Sequence, residues 1–322
     1  MRNGIAGAIG VAVVLTFPPA LPIVGEAQTS ATKHQQAVLV TGASTGIGRK
    51  ITERLAADGY FVYAGARKEE DLKALGAIKN VQAIRLDVTS TQDIDSAVAA
   101  VTNAGRGLYG LVNNAGVGSR GTFADMRTDE FDLIMAVNVY GPYRVTKAFA
   151  PLIIAQKGRI TTIGSISGIL ARSTLGAYAM SKHAIEAYTD SLAQQMAEFG
   201  VQVSVVEPGN YESEISRNAL KRLGVDDPKA ADRSQYKPPD EVADAVEHAL
   251  FDPNPKRRYM VVPNQAEAEL TIRKQIEQLV QLNEGQPYTY DRDGLVKMLD
   301  EALAGSRPKS IPPDASAKGV AR

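Results

Sequence analysis

The chain has 322 residues, 36 basic against 36 acidic side chains, 44% hydrophobic and 22% charged residues, and no cysteine. That is an ordinary globular composition, long enough for one large α/β domain with extensions. Zero net charge gives no pull toward nucleic acid, and the lack of thiols excludes disulfides, cysteine nucleophiles, Cys-ligated zinc and a lipidated cysteine anchor.

Residues 1–27 read as a leader. Arg2 precedes an uncharged, Ala/Val/Ile-rich run over 4–17, Pro18 and Pro19 break it, and Gly25-Glu26-Ala27 offers a small-residue cleavage site. The expectation is a signal peptide cleaved near Ala27 and export to the periplasm. The alternatives are an uncleaved membrane anchor, since the charge-free stretch could just span about 30 Å of hydrocarbon, or a cytoplasmic protein whose leader is not functional. A short linker, 28–35, follows.

From Gln36 onward short apolar runs alternate with helical stretches. The runs are AVLV (37–40), YFVYAGA (60–66), VQAIRLD (81–87), YGLVNNAG (109–116), RITTI (159–163), VQVSVVE (201–207) and RRYMVV (257–262). This pattern predicts a doubly wound, Rossmann-type α/β domain over 36–263, a mostly parallel seven-stranded sheet with helices on both faces. The first run enters TGASTGIG (41–48), where Gly42, Gly46 and Gly48 let the backbone turn tightly and approach a pyrophosphate at a helix N-terminus. The second ends in Ala66-Arg67. An acidic residue there would bond the 2′-hydroxyl of NAD, whereas a guanidinium suits a 2′-phosphate, so NADP(H) is preferred and NAD(H) is the alternative. Asp87 closes the third run within reach of an adenine amino group, and Asn-Asn-Ala-Gly closes the fourth at the switch point of such sheets.

Farther along, Ser165 precedes Tyr178 by thirteen residues, and Lys182 follows four later. One helical turn sets Tyr178 beside Lys182. A tyrosine with a reference pKa of about 10 is a poor acid or base at neutral pH, and an adjacent ammonium is expected to pull it down. Ser165 would hold a substrate oxygen while Tyr178 trades a proton with it. Tyr143 and Lys147 share the spacing, but Glu130 stands thirteen residues before Tyr143, so that pair reads as an ordinary amphipathic neighbour pair.

TGASTGIG, Asp87-Val88, NNAG, Asn138, Ser165, YAMSK and Pro208-Gly209 occur in this order. Together they resemble the short-chain dehydrogenase/reductase family over roughly residues 36–263. The resemblance implies a general acid/base at Tyr178, with Lys182 lowering its pKa and bonding the nicotinamide ribose, and Ser165 orienting the substrate oxygen. It implies Asn138 as holder of a relay water. It places the dinucleotide against Gly42, Ser44, Thr45, Gly46, Ile47 and Gly48, against Arg67, Asp87, Val88, Asn114, Ala115 and Gly116, and against Pro208, Gly209 and Ser213 together with Tyr178 and Lys182. Two departures stand out. Thr45 lies where NADP-preferring relatives often carry a basic residue, and Glu212 and Glu214 crowd negative charge past the nicotinamide strand; they read as caps of a short helix, the alternative being that they face the substrate and disfavour acids. The resemblance also implies a homodimer or homotetramer through helices around 125–156 and 176–199.

Residues 212–239 read as a mobile segment over a pocket lined by Ile166, Leu170, Leu175 and Tyr211, an apolar set for a hydrophobic secondary alcohol or ketone. Residues 264–305 predict a helical extension, able to cover the pocket or dock on a partner, and 306–322 a disordered tail. His34, His183 and His248 lack metal-ligand spacing, so no metal is expected. The rival function is a dinucleotide-binding regulator or scaffold without turnover, which would show damage to the Ser/Tyr/Lys set; none is seen. A sugar-nucleotide epimerase on the longer related fold is disfavoured by the Gly-x-x-x-Gly-x-Gly turn.

Overall fold

The computed structural model describes residues 35–306; the expectations for the leader and most of the tail lie outside them. Seven strands form one sheet: β1 (Ala37–Val40), β2 (Phe61–Ala66), β3 (Val81–Arg85), β4 (Gly110–Asn113), β5 (Arg159–Ile163), β6 (Gln202–Pro208) and β7 (Arg258–Val261). Their order is β3-β2-β1-β4-β5-β6-β7. Every neighbouring pair is parallel, so the sheet is wholly rather than mostly so. The winding direction reverses between β1 and β4, which opens a crevice at their C-terminal ends.

Successive side chains of β1 face opposite layers. Ala37 and Leu39 join Tyr63, Leu111, Phe149, Ile153 and Ile160 in one core. Val38 and Val40 join Ile51, Leu55, Val112, Val206, Val246 and Leu250 in the other. This double burial is why the strands read as unbroken apolar runs. Helices α3 (Thr91–Asn103), α5 (Tyr140–Ala155) and α6 (Gly176–Ala197) supply the first layer, and α1 (Gly46–Ala57), α2 (Glu69–Gly76) and α9 (Asp240–Phe251) the second.

Helix starts differ in a way that matters for function. The Ser90 side chain accepts the Asp93 N–H at 3.1 Å and so caps α3. Thr45 gives α1 no side-chain cap, and the first amides of α1 keep no partner of that kind.

The apolar stretch expected around 125–156 is two helices, α4 (Thr128–Asn138) and α5, parted at Val139. Pro142, in the first turn of α5, has no N–H for the Asn138 carbonyl four residues back, so the break leaves that carbonyl without its helical donor. The segment 212–239 contains α7 (Ile215–Leu223), ended by Gly224 at φ +66°, and the single turn α8 (Pro228–Ala231). Glu214 precedes α7 without capping it; its carboxylate pairs with Arg217 at 2.6 Å, because a side chain beside the helix start meets that guanidinium first. Arg222 of α7 donates to Glu130 Oε1 and to the Gly118 carbonyl, each at 2.7 Å, and so pins α7 to α4 and to the loop after β4.

The extension folds as α10 (Gln265–Asn283) and α11 (Arg292–Ser306). Its root is fixed where Glu267 Oε2 accepts the Asn210 N–H at 2.9 Å, just beyond β6. Thr271 is the only buried residue of α10, and Leu270, Ile272, Ile276 and Leu279 of that helix are exposed.

Candidate active site

The turn between β1 and α1 is shaped by closeness. A Cβ on Gly48 would fall 2.3 Å from both Asn114 Nδ2 and the Gly42 carbonyl. At Gly42, φ is +63° and a Cβ would lie 2.8 Å from the Ala115 backbone. Only glycine satisfies both demands. Asn114 Nδ2 donates to the carbonyls of Thr41 (2.9 Å) and Gly42 (3.0 Å). Thr41 Oγ1 in turn accepts the N–H groups of Asn114 and Ala115, both at 3.0 Å. The ends of β1 and β4 are thereby laced together, with Ser44 and Ile47 half-buried, Thr45 exposed and Gly116 at the open rim. Ser213 meets this turn from the loop between β6 and the helix that follows, its Cβ 3.4 Å from where a Cβ on Gly46 would stand.

At the far end of the crevice Arg67 is exposed, with Nη1 3.6 Å from Asp87 Oδ2, outside hydrogen-bond reach. The Asp87 carboxyl is held below its ordinary range although burial pushes it up; bonds from Thr89 and then the Arg67 guanidinium prevail. The Val88 side chain is buried in the core against Gly141.

Ser165, Tyr178 and Lys182 come together at the C-terminal ends of β5 and β6. Ser165 stands two residues past β5 and caps a 3-10 turn, its Oγ accepting the Ser167 N–H at 3.0 Å and donating to the Pro208 carbonyl at 3.4 Å. The Ser165 hydroxyl also stands near enough to the Tyr178 phenol to favour its ionised form. Lys182 Nζ lies 5.6 Å from the Tyr178 ring centre and donates to the Ile163 carbonyl at 2.8 Å. Gly209 donates its N–H to the Val261 carbonyl at 2.8 Å, which fixes the loop after Pro208.

The electrostatics correct the expected pairing. Burial raises Tyr178 above the ordinary tyrosine value, and the groups that pull it down are Ser165 and then Arg233, not Lys182. Burial also lowers Lys182 to about 8, with Glu186 opposing. Lys182 is buried and Tyr178 half-buried, and the ammonium turns to a backbone carbonyl instead of the phenol, so desolvation outweighs their mutual attraction.

Asn138 is 2% exposed. Its Oδ1 accepts the Val117 N–H at 2.8 Å, and its Nδ2 donates to the Val117 carbonyl at 2.9 Å and to Ser181 Oγ at 3.0 Å. A Cβ on Gly116 would lie 3.5 Å from Asn138 Oδ1 and 4.0 Å from Lys182 Nζ, so Asn138 borders the lysine.

Of the expected pocket wall, Ile166 and Leu170 are buried beside the Ser165 turn. Tyr211 is not part of it. Its ring is 1% exposed in the core under α9, and its hydroxyl donates to Glu241. Tyr143, of the rival pair, is 50% exposed, its ring 6.0 Å from Lys147 Nζ. Sequence reasoning passed over Ser119, whose buried Oγ accepts the Tyr178 N–H at 3.1 Å and seats the start of α6. Nothing local in a Gly-Ser-Arg-Gly loop marks a partner 59 residues away.

A model of the short chain dehydrogenase family matches residues 36–223. The oxidoreductase YbbO of Escherichia coli, itself uncharacterized, is 32% identical over 234 residues, covering 70% of this chain and 86% of that one. Retinol dehydrogenase 5 of Mus musculus is 38% identical over 185 residues, covering 56% of this chain and 58% of its own. A metagenomic short-chain oxidoreductase solved in complex with NADP superposes with a TM-score of 0.59 at 30% identity, covering 72% of this chain and 98% of that one.

Proposed function

The chain belongs to the short-chain dehydrogenase family, an oxidoreductase class that uses a nicotinamide dinucleotide, and we propose that it interconverts a hydrophobic secondary alcohol and its ketone with NADP(H) preferred. The observation that carries this reading is the meeting of Ser165, Tyr178 and Lys182 beside the glycine turn. The turn fits a dinucleotide: a Cβ would fill it, and the uncapped start of α1 faces it. When bound, the cofactor supplies or accepts the hydride.

The remaining work falls to side chains. Amides at the start of α1 and the backbone of Gly42 to Gly48 hold the pyrophosphate, and Arg67 takes the 2′-phosphate, there being no carboxylate at the end of β2 to claim a 2′-hydroxyl. Asp87 and the Val88 backbone border adenine. Asn114, Ala115 and Gly116 shape the wall beside it, and Pro208, Gly209 and Ser213 close the nicotinamide side. Ser165 Oγ orients the substrate oxygen, and Tyr178 gives its proton to the alkoxide that forms when a ketone is reduced, or takes one from an alcohol. Lys182 bonds the ribose. The Asn138 side chain is fully committed to Val117 and Ser181, so its carbonyl, released by Pro142, is the group left to hold a relay water.

Ile166, Leu170 and Leu175 supply an apolar wall, in keeping with the likeness to a retinol dehydrogenase. The exposed Tyr140, Tyr143 and Met180 on α5 and α6 offer the face for a homodimer or homotetramer. The test is titration with NADPH and NADH by fluorescence, then a panel of cyclic and long-chain ketones against Tyr178→Phe. Binding of neither cofactor would overturn the enzyme; preference for NADH would overturn the role of Arg67 alone.

A further inference from the structure

Beneath the Ser165 turn lies a second titratable group that the proton and hydride chemistry leaves unused. Glu186 stands one helical turn after Lys182 on α6, and Glu207 stands on β6 immediately before Pro208. Glu207 is 3% exposed. The two carboxyls close on the same guanidinium, that of Arg258, while Glu186 Oε1 and Glu207 Oε1 find no hydrogen-bond donor among the described residues. Two ionised carboxylates have no proton to place between them. One carboxyl and one carboxylate do.

The charges around the pair do not offset two negative groups. From β7, Arg258 Nε lies 3.2 Å from Glu186 Oε2 and 3.6 Å from Glu207 Oε1. Its Nη1 and Nη2 are taken by Asp190 of α6 at 3.0 and 2.7 Å. Arg257 faces Asp190 as well, at 3.8 Å. From α6, Lys182 feels the Glu186 charge, yet burial makes it resist charging. Burial, and next the nearness of Glu186, raise Glu207 well above the carboxylate range.

The geometry ties this pair to the active-site turn. A Cβ on Gly164 would lie 3.2 Å from Glu186 Oε1, and one on Gly168 would lie 2.9 Å from it. The Glu186 carboxyl therefore fills the space between the two glycines that bracket Ser165. From the other side, Lys182 Nζ holds the Ile163 carbonyl, and the Gly164 N–H donates to the Val206 carbonyl at 2.7 Å, next to Glu207.

We propose that Glu186 and Glu207 share a single proton and act as a positioning pair, seating the Gly164–Gly168 turn that carries Ser165 and keeping one negative charge beneath Lys182. Neither touches the reacting atoms. The role for catalysis rests on the reading of Ser165, Tyr178 and Lys182 given above; the shared proton does not. Loss of that proton sets two like charges in contact under the turn, and the turn loosens.

The test uses the full chain and needs no substrate. A proton kept by the folded state and released on unfolding lowers the folding equilibrium constant tenfold per pH unit between the two pKa values. Unfolding followed from pH 5 to 8 in wild type and Glu207→Gln isolates it. The amide still donates to Glu186 but does not titrate, so this variant is expected to lose a tenfold-per-unit slope that wild type shows. Amide exchange at Gly168 and Ile169, corrected for its intrinsic pH dependence, is expected to quicken about tenfold above pH 8 in wild type and to stay slow in Glu207→Gln. Equal slopes in the two proteins, or equal exchange above pH 8, would overturn the pair. A chain that shows both differences yet binds no NADPH keeps the shared proton and loses the enzyme reading, so the two failures are separable.

Discussion

Gly48→Ala is the sharpest probe of the dinucleotide cradle. The added methyl would stand 2.3 Å from Asn114 Nδ2 and from the Gly42 carbonyl, more than an ångström inside ordinary contact. Asn114 yields only by giving up its bonds to Thr41 and Gly42, about 1 kcal/mol each. The Gly42 carbonyl is backbone at φ +63° and moves only with the turn. Overpacking of this kind costs about 1–3 kcal/mol, and the helix propensity of alanine returns up to about 1 kcal/mol of it. The global loss is thus roughly 1–2 kcal/mol, or a few degrees in Tm, while the displacement falls on the groups that face the cofactor. With tenfold in affinity for every 1.4 kcal/mol or so, NADPH binding is expected to weaken roughly ten- to hundredfold in a fluorescence titration. Gly59→Ala is the control: nothing lies within 4 Å of its Cβ, but φ is +93°, so Tm falls while NADPH affinity holds. If Gly48→Ala bound NADPH within twofold of wild type, the cradle argument would fail.

Four further outcomes are expected. Tyr178→Phe should keep NADPH affinity and lose about 10²- to 10⁴-fold in turnover of any ketone reduced by wild type, measured by NADPH absorbance. Arg67→Ser should weaken NADPH about ten- to hundredfold at low salt, the worth of a charge-assisted bond of roughly 1.5–3 kcal/mol, with NADH changed little; equal losses for both cofactors would remove the guanidinium from the 2′-phosphate. Lys182 is lowered to about 8 from 10.5. The fold therefore binds fewer protons than the unfolded chain between those values, and stability rises with pH there. Below pH 8 the penalty is complete at roughly 3 kcal/mol, so Lys182→Met should raise Tm at neutral pH by an amount that fades toward pH 10.5. Arg222→Leu leaves Glu130, 8% exposed, without its cation. With a quarter of the guanidinium exposed, the loss should be about 2 kcal/mol, below the figure for a fully buried pair, and exchange should quicken in α7.

The sheet was legible because its information is local. Leu39 and Val40 face opposite cores, which makes an apolar run the visible mark of a doubly covered strand. The turn at Gly42 to Gly48 was legible for the same reason, since each glycine answers a backbone demand within a few residues. Choosing Tyr178 over Tyr143 needed one more local fact, the hydroxyl thirteen residues before. Tyr211 was misplaced because its partner, Glu241, lies thirty residues on, and helix packing decides which face a loop tyrosine takes. The bonds of Ser119 to Tyr178 and of Asn114 to Thr41 span 59 and 73 residues, and no periodicity points to either.

The electrostatics were less legible than the geometry, and for a general reason. Four-residue spacing establishes that Tyr178 and Lys182 are neighbours, but reference pKa values describe neighbours in water. In the fold Lys182 is 6% exposed, and burial acts on both groups at once, raising the phenol and lowering the ammonium. Attraction between the two would need one to charge at the expense of a desolvated partner. The groups that set the balance come from elsewhere: the Ser165 hydroxyl from the end of β5, Arg233 from the segment after α8, and Glu186 from the next turn of α6. The phenol is therefore tuned from two separate elements and the ammonium from a third group, and a substitution at any of them should move the proton chemistry of the pair without touching the tyrosine–lysine motif.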